Sequence, residues 1–265
     1  METRKQKEKD YHNLKRDETS GSSERTAYIS SQKKWYSIVR KSAKCYEDWL
    51  RENCPNKRVL DYGCGNGNSL LKIAKMGASE MFGIDISDVS IENAKRKAIN
   101  EGYDEKAITL LVMDAENMQF EDDYFDIAFV AGVLHHLEPE RAYSELARVL
   151  RPDGQAICAE GLGHNPLIRY YRKRTPHLRT EWELKHILRK NDIEMADNYF
   201  DKIEILGFFH LASIAAVPFR NLPVFNGILT MLEAVDSLLL NLPIIKWQAW
   251  QIVFVLSKPR KSHRK

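Results

Sequence analysis

One stretch limits this chain more than any other. "RVLDYGCGNGNSL", Arg58 to Leu70, is an apolar run that breaks into three alternating glycines. An apolar strand that stops on glycine and restarts as a helix is the usual joint of a parallel α/β sheet. Glycines there let the backbone take positive φ and lie close to a ligand. The sequence around it keeps the same rhythm: "EMFGIDIS", "AITLLVMD", "FDIAFVAGV" and "QAICAE" read as further strands, apolar throughout. Between them stand helical stretches. "NSLLKIAKMG" ends on Gly77, "VSIENAKRKAINEG" is capped by Ser87 or Asp88, and Glu138 to Leu150 closes on the turn "RPDG". Apolar strands alternating with helices predict a doubly wound α/β domain whose sheet is covered on both faces.

The flanks differ in character. Residues 1–26 are polar, mixed in charge and end in "SGSS", so they read as a flexible tail. From 27 to 56, apolar residues recur at helical spacing (Tyr28, Ile29, Trp35, Ile38, Trp49, Leu50), which predicts lid helices over the core at 57–160. Tyr28, Trp35 or Tyr36 would touch a bound ligand or simply pack. Residues 161–200 are rich in basic and aromatic side chains and read as a helical insertion laid over the sheet. Residues 201–265 carry two strands around an unusually apolar helical insertion, which would bury itself, pair two copies, line a greasy pocket or rest on a membrane surface.

Composition removes several classes. A net charge of +3 over 265 residues is too small to argue for nucleic acid. Cys45, Cys54, Cys64 and Cys158 stand apart without paired or histidine-flanked spacing, which fits reduced thiols rather than a disulfide framework or a metal centre. No apolar run reaches the ~20 residues of a membrane span. The expected compartment is the cytoplasm.

A dinucleotide would require G-x-G-x-x-G, but Asn68 stands where the third glycine belongs. Asp61, just ahead of the loop, would repel a pyrophosphate and suits a cationic group. Asp85, at the end of the second strand, can take both hydroxyls of a ribose. In order, "VLDYGCGNG", "GIDIS", "MDAENMQF", "FDIAFVAGVLHHL" and "ARVLRPDGQ" resemble the motifs of class I S-adenosylmethionine-dependent methyltransferases, most nearly the small-molecule enzymes of quinone biosynthesis.

That resemblance implies a Rossmann-like seven-stranded sheet, mostly parallel with an antiparallel last strand, and S-adenosylmethionine as cofactor. It further implies that Asp61, Gly63, Cys64, Gly65 and Gly67 surround the cofactor's amino-acid end and that Asp85 holds the ribose. Ile86, Asp114 and Ala115 would meet the adenine, while Val130 and Ala131 would pass beneath the sulfonium. His135 and His136 follow the fourth strand, so one of them is a candidate general base, with His135 favoured. His164, Arg174 and Arg179 are the candidate contacts to a small acceptor, anionic or lipid-like, because arginine forks pair with carboxylate and phosphate. No metal is expected. The reaction implied is methyl transfer to oxygen, nitrogen or carbon. A cofactor-binding scaffold without turnover is the alternative, and a nicotinamide enzyme or a base-acting nucleic-acid methyltransferase is disfavoured by the motifs.

Overall fold

The computed structural model describes residues 2–104 and 106–261. Positions 262–265, the end of the expected C-terminal segment, lie outside the described residues. The helices are α1 (Thr3–Arg16), α2 (Ser23–Trp35), α3 (Arg40–Asn53), α4 (Asn68–Ala74), α5 (Asp88–Asn100), α6 (Pro139–Val149), α7 (Pro166–Arg174), α8 (Glu181–Lys185), α9 (Lys190–Glu194) and α10 (Phe225–Leu239). The strands are β1 (Arg58–Tyr62), β2 (Glu80–Asp85), β3 (Ile108–Val112), β4 (Phe125–Ala131), β5 (Leu150–Gly161), β6 (Phe200–Phe209) and β7 (Gln251–Pro259).

They form one seven-stranded sheet in the order β3-β2-β1-β4-β5-β7-β6. β1 to β5 pair in parallel, and β7 runs antiparallel to both β5 and β6, as the family resemblance implied. Strand periodicity explains the uniform hydrophobicity. Leu60, Tyr62, Ala128 and Val130 turn to one face of the sheet, Val59, Ile127 and Phe129 to the other, and each face meets its own apolar cluster. The expected boundaries hold to within a residue or two at α6 and α5, where the Ser87 side chain accepts a hydrogen bond from the Ser90 backbone at 3.0 Å. "RPDG" joins β5 rather than standing as a separate turn.

Residues 2–26 are not a flexible tail. They hold α1 and the start of α2, and α1 lies against the ends of the strands with Lys5, Glu8, His12 and Lys15 buried. The sequence concealed this because the stripe that α1 buries is charged. Its cohesion comes from oppositely charged partners on the core rather than from apolar contact. The apolar insertion keeps one side of α10 inside, where Leu229 joins Ile38, Ala216 and Val217. Buried Glu233 receives both ends of the Arg40 guanidinium, at 2.8 and 2.7 Å. Met231, Leu238, Leu242 and Ile244 remain exposed.

Phe129 is 1% exposed at the centre of the sheet. Phe129→Ala should therefore lower unfolding free energy by about 3–5 kcal/mol in chemical denaturation, while Ile99→Ala, on an exposed position, stays within about 0.5 kcal/mol.

Candidate active site

The strand ends converge on the loop after β1. Gly63 and Gly67 adopt φ of 79° and 77°, and a Cβ on either would fall 2.7 Å from the Val133 side chain or 2.9 Å from Ala94. Only glycine satisfies both conditions. The Gly63 and Cys64 amides donate to the Ile84 carbonyl at 2.9 and 2.8 Å, which fixes the loop to β2. Asp61 is 3% exposed, and its Oδ2 has no hydrogen-bond partner among the described residues. Burial, reinforced by the Asp85 charge, pushes its carboxyl up to about 8.

The next two carboxylates are occupied from within the chain. Asp85 accepts from the Ser87 amide at 2.9 Å on Oδ1. Its Oδ2 takes the Gly65 amide and the Arg16 guanidinium, each at 2.9 Å. Asp114 pairs with Lys5 at 2.6 Å, and Glu116 beside it accepts from Arg4 Nη2 on both oxygens, each at 2.7 Å. Thus α1 grips the carboxylates at the ends of β2 and β3. Beneath it a cavity of about 90 Å³ remains, lined by Ile86, Asp114, Ala115 and Ala131 on the core side and by Lys5, His12 and Arg16 above. Val130 does not reach this space. It is fully buried in the core, and Ala131 alone of the pair lines the cavity.

His12, Arg16, Ala131, Gly132 and His136 also border a second, larger chamber of about 530 Å³. Tyr28, Trp35, Tyr36, Tyr171 and Trp250 form much of its wall. His135 stands on its floor. Its Nδ1 lies 3.0 Å from Glu160 Oε2, and its Nε2 lies 3.7 Å from Glu183 Oε1. Burial opposes the charged imidazole, but the hydrogen bonds and charges of the two glutamates outweigh it and bring His135 to about 9. Glu160 is itself anchored by the Val133 and Leu134 amides at 2.8 and 2.9 Å. For Glu183, burial acts upward, yet the neighbouring imidazoles of His136 and His135 hold it well below the usual carboxylate range. His136 turns the other way, and its Nδ1 meets Glu8 of α1 at 2.9 Å. Ligand atoms of Glu8, His12 and His136 lie within 4.8 Å of one another, as do those of His135, His136 and Glu183. Within these groupings His136 is hydrogen-bonded to Glu8, while His135 is hydrogen-bonded to Glu160 outside them.

Of the expected acceptor contacts, only Arg179 lines the chamber. Arg174 is exposed on α7 and stacks over Tyr170 at 5.2 Å. His164 accepts from the Lys190 amide at 3.0 Å and leans on Trp247. The residues sequence reasoning missed are Glu160, Glu183 and Arg172. A capping-box signal in "TEWE" marks Glu183, whose backbone and side chain bond reciprocally with Thr180.

Residues 60–158 match the family described as "Methyltransferase domain". Among curated proteins, the chain is 34% identical over 107 residues to the 27-O-demethylrifamycin SV methyltransferase of Amycolatopsis mediterranei, covering 40% of this chain and 39% of that protein. It is 31% identical over 140 residues to the demethylmenaquinone methyltransferase of Symbiobacterium thermophilum, covering 49% and 55%. The chain thus spans between about two fifths and just over half of the length of these relatives. Among solved structures, geranyl diphosphate C-methyltransferase from Streptomyces coelicolor A3(2) superposes with a TM-score of 0.62 at 12% identity, covering 98% of this chain and 99% of that one. That degree of identity speaks for the fold alone.

Arg16 and Lys5 border the cavity and occupy these two carboxylates, so a ligand that binds Asp85 and Asp114 from the cavity competes with them. Arg16→Ala combined with Lys5→Ala should tighten S-adenosylhomocysteine binding several-fold in calorimetric titration. Binding weakened by the double substitution contradicts the displacement.

Proposed function

We propose that this chain, which carries a class I S-adenosylmethionine-dependent methyltransferase domain at residues 60–158, moves a methyl group to a small-molecule acceptor held in the chamber above His135. The cofactor is S-adenosylmethionine, and when bound it supplies a methyl group on a cationic sulfonium. The residues fit it. Asp61 has a buried carboxylate oxygen with no partner among the described residues, which suits the cofactor's amine, and the glycine backbone leaves no room for side chains where the loop wraps. Asp85 would hold the ribose hydroxyls and Asp114 the adenine amino group once Arg16 and Lys5 release them. Ile86 and Ala115 would flank the ring.

One observation carries the catalytic reading: His135 lines the chamber, with Glu160 at its Nδ1 and Glu183 Oε1 3.7 Å from its Nε2. Glu160 orients the ring through Nδ1, and Nε2, 3.7 Å from Glu183 Oε1, can take a proton from an acceptor hydroxyl once the imidazolium has lost its own. Alignment and exclusion of water then do the remaining work in a displacement of this kind. The closed aromatic wall of the chamber serves both. His136, engaged with Glu8, holds α1 rather than the acceptor. The finer choice among oxygen, nitrogen and carbon rests on His135, and a base at that position favours an oxygen acceptor.

Label transfer from methyl-labelled S-adenosylmethionine into a fractionated cell extract tests the enzyme reading. Label should appear in the small-molecule or organic-soluble fraction. Cofactor binding without label in any fraction supports instead a scaffold that binds S-adenosylmethionine. Because His135 stays protonated below about 9, the base form grows tenfold per pH unit up to that point. The transfer rate at low substrate should climb with pH and level off near 9. His135→Ala should lower it by about 10²–10⁴-fold and flatten the profile, and a profile that His135→Ala leaves unchanged removes His135 from the reaction.

A further inference from the structure

The chamber's charge is balanced on one side only. Glu183 is the acid that faces it, and this carboxylate is committed: Oε2 accepts from the Thr180 amide at 3.1 Å and Oε1 turns toward His135. Beside it, in the same chamber wall, stand two guanidiniums, Arg172 on α7 and Arg179 just before α8, both partly buried. Arg172 donates Nη2 to the Glu183 backbone carbonyl at 2.5 Å, and Arg179 donates Nη1 to the Thr175 carbonyl and hydroxyl at 2.9 and 2.8 Å. Neither has a carboxylate within ion-pair distance among the described residues.

Half-buried guanidiniums without a counter-charge are costly, and the cost registers here. Burial and then the charge of Arg179 pull Arg172 down to about 10, and burial lowers Arg179 as well, with Glu183 only partly restoring each. The pair is nevertheless held in place. The Arg179 guanidinium lies 5.6 Å over the Tyr171 ring, and the Tyr171 hydroxyl is fixed by the Trp35 indole at 2.9 Å. Two positioned cations missing an anion, set in an aromatic wall, describe half of a recognition site.

We propose that Arg172 and Arg179 form an oxyanion subsite that binds a carboxylate or phosphate group on an aromatic or otherwise apolar methyl acceptor. The proposal rests on the methyltransferase reading for the word acceptor only, since the subsite itself can be measured without turnover. The oxyanion sits against the arginines and the apolar body against Tyr171, Trp35 and Trp250. The acceptor atom is left facing His135. Arg174, two residues along α7 from Arg172, points to solvent and takes no part.

The test uses the full chain saturated with S-adenosylhomocysteine and titrates phenyl phosphate, benzoate and the neutral benzyl alcohol by calorimetry. Phenyl phosphate or benzoate should bind at least about tenfold tighter than benzyl alcohol, and whichever binds better identifies the oxyanion. Arg172→Gln and Arg179→Gln should each weaken that binding about tenfold or more. Arg179→Lys, which keeps the charge and loses the fork, should fall between. Arg174→Gln should change nothing, and S-adenosylhomocysteine affinity should stay within about twofold in every variant, which also verifies folding. Equal binding of benzyl alcohol, no measurable binding of either anion, or anion binding indifferent to both Gln substitutions overturns the subsite. Anion binding through these arginines in a chain that never transfers a methyl group overturns the enzyme reading and leaves the subsite standing.

Discussion

The Arg16–Asp85 and Lys5–Asp114 pairs bind the N-terminal helix to the ends of the sheet, and the shape of both cavities follows from them. Pairs of this kind gain little on an exposed surface, but partial burial changes the balance. Asp85 is nearly inaccessible, and the Arg16 Nη1 that pairs with it also donates to the Ser90 hydroxyl at 3.0 Å. Removing one member would leave a desolvated charge, which is far more costly than never having formed the pair. Glu8 extends the clasp to His136 and Thr180, and Arg4 extends it to Glu116 and the His136 carbonyl. The helix is held by charge on one side and leaves almost no apolar signature.

That distinction explains what the sequence revealed and what it concealed. β1 to β5 and the glycine loop were legible because burial on both faces demands continuous apolar strands, and positive φ with close packing demands glycine. The docking of α1 was hidden because Lys5, Glu8, His12 and Lys15 read as a solvated helix face. Nothing in their spacing distinguishes a face turned to water from one turned to carboxylates. The arginines fell to a simpler error of phase. α7 advances about 100° per residue, so Arg174 lies roughly 200° from Arg172, and a basic run gives no hint which member looks inward. Ile168, Tyr171 and Arg172 share the chamber face at helical spacing, and the apolar member of that set was the signal available.

The chamber itself is organised around alternating charge. His135 lies between Glu160 and Glu183, whose charges and hydrogen bonds favour its protonated form. Glu160 is saturated by backbone amides, and Glu183 is fixed by its own helix cap, so both acids are spent on local order. The positive charge that remains belongs to Arg172 and Arg179. The smaller cavity, where we propose that the cofactor binds, shows the opposite arrangement, with carboxylates from the strand ends and cations supplied by α1. His12 and Arg16 border both spaces, so the position of α1 ties the state of one to the state of the other.

The central claim is that α1 and the cofactor compete for the same carboxylates. Backbone hydrogen exchange of residues 3–16, measured with and without saturating S-adenosylhomocysteine, tests it most directly, because it reports on the helix itself rather than on affinity. The account predicts that α1 amides protected in the free protein exchange faster once the ligand is bound, while β1 and β4 become no less protected. Protection of α1 that stays the same or increases on binding contradicts it and makes the helix a cover that closes over the cofactor.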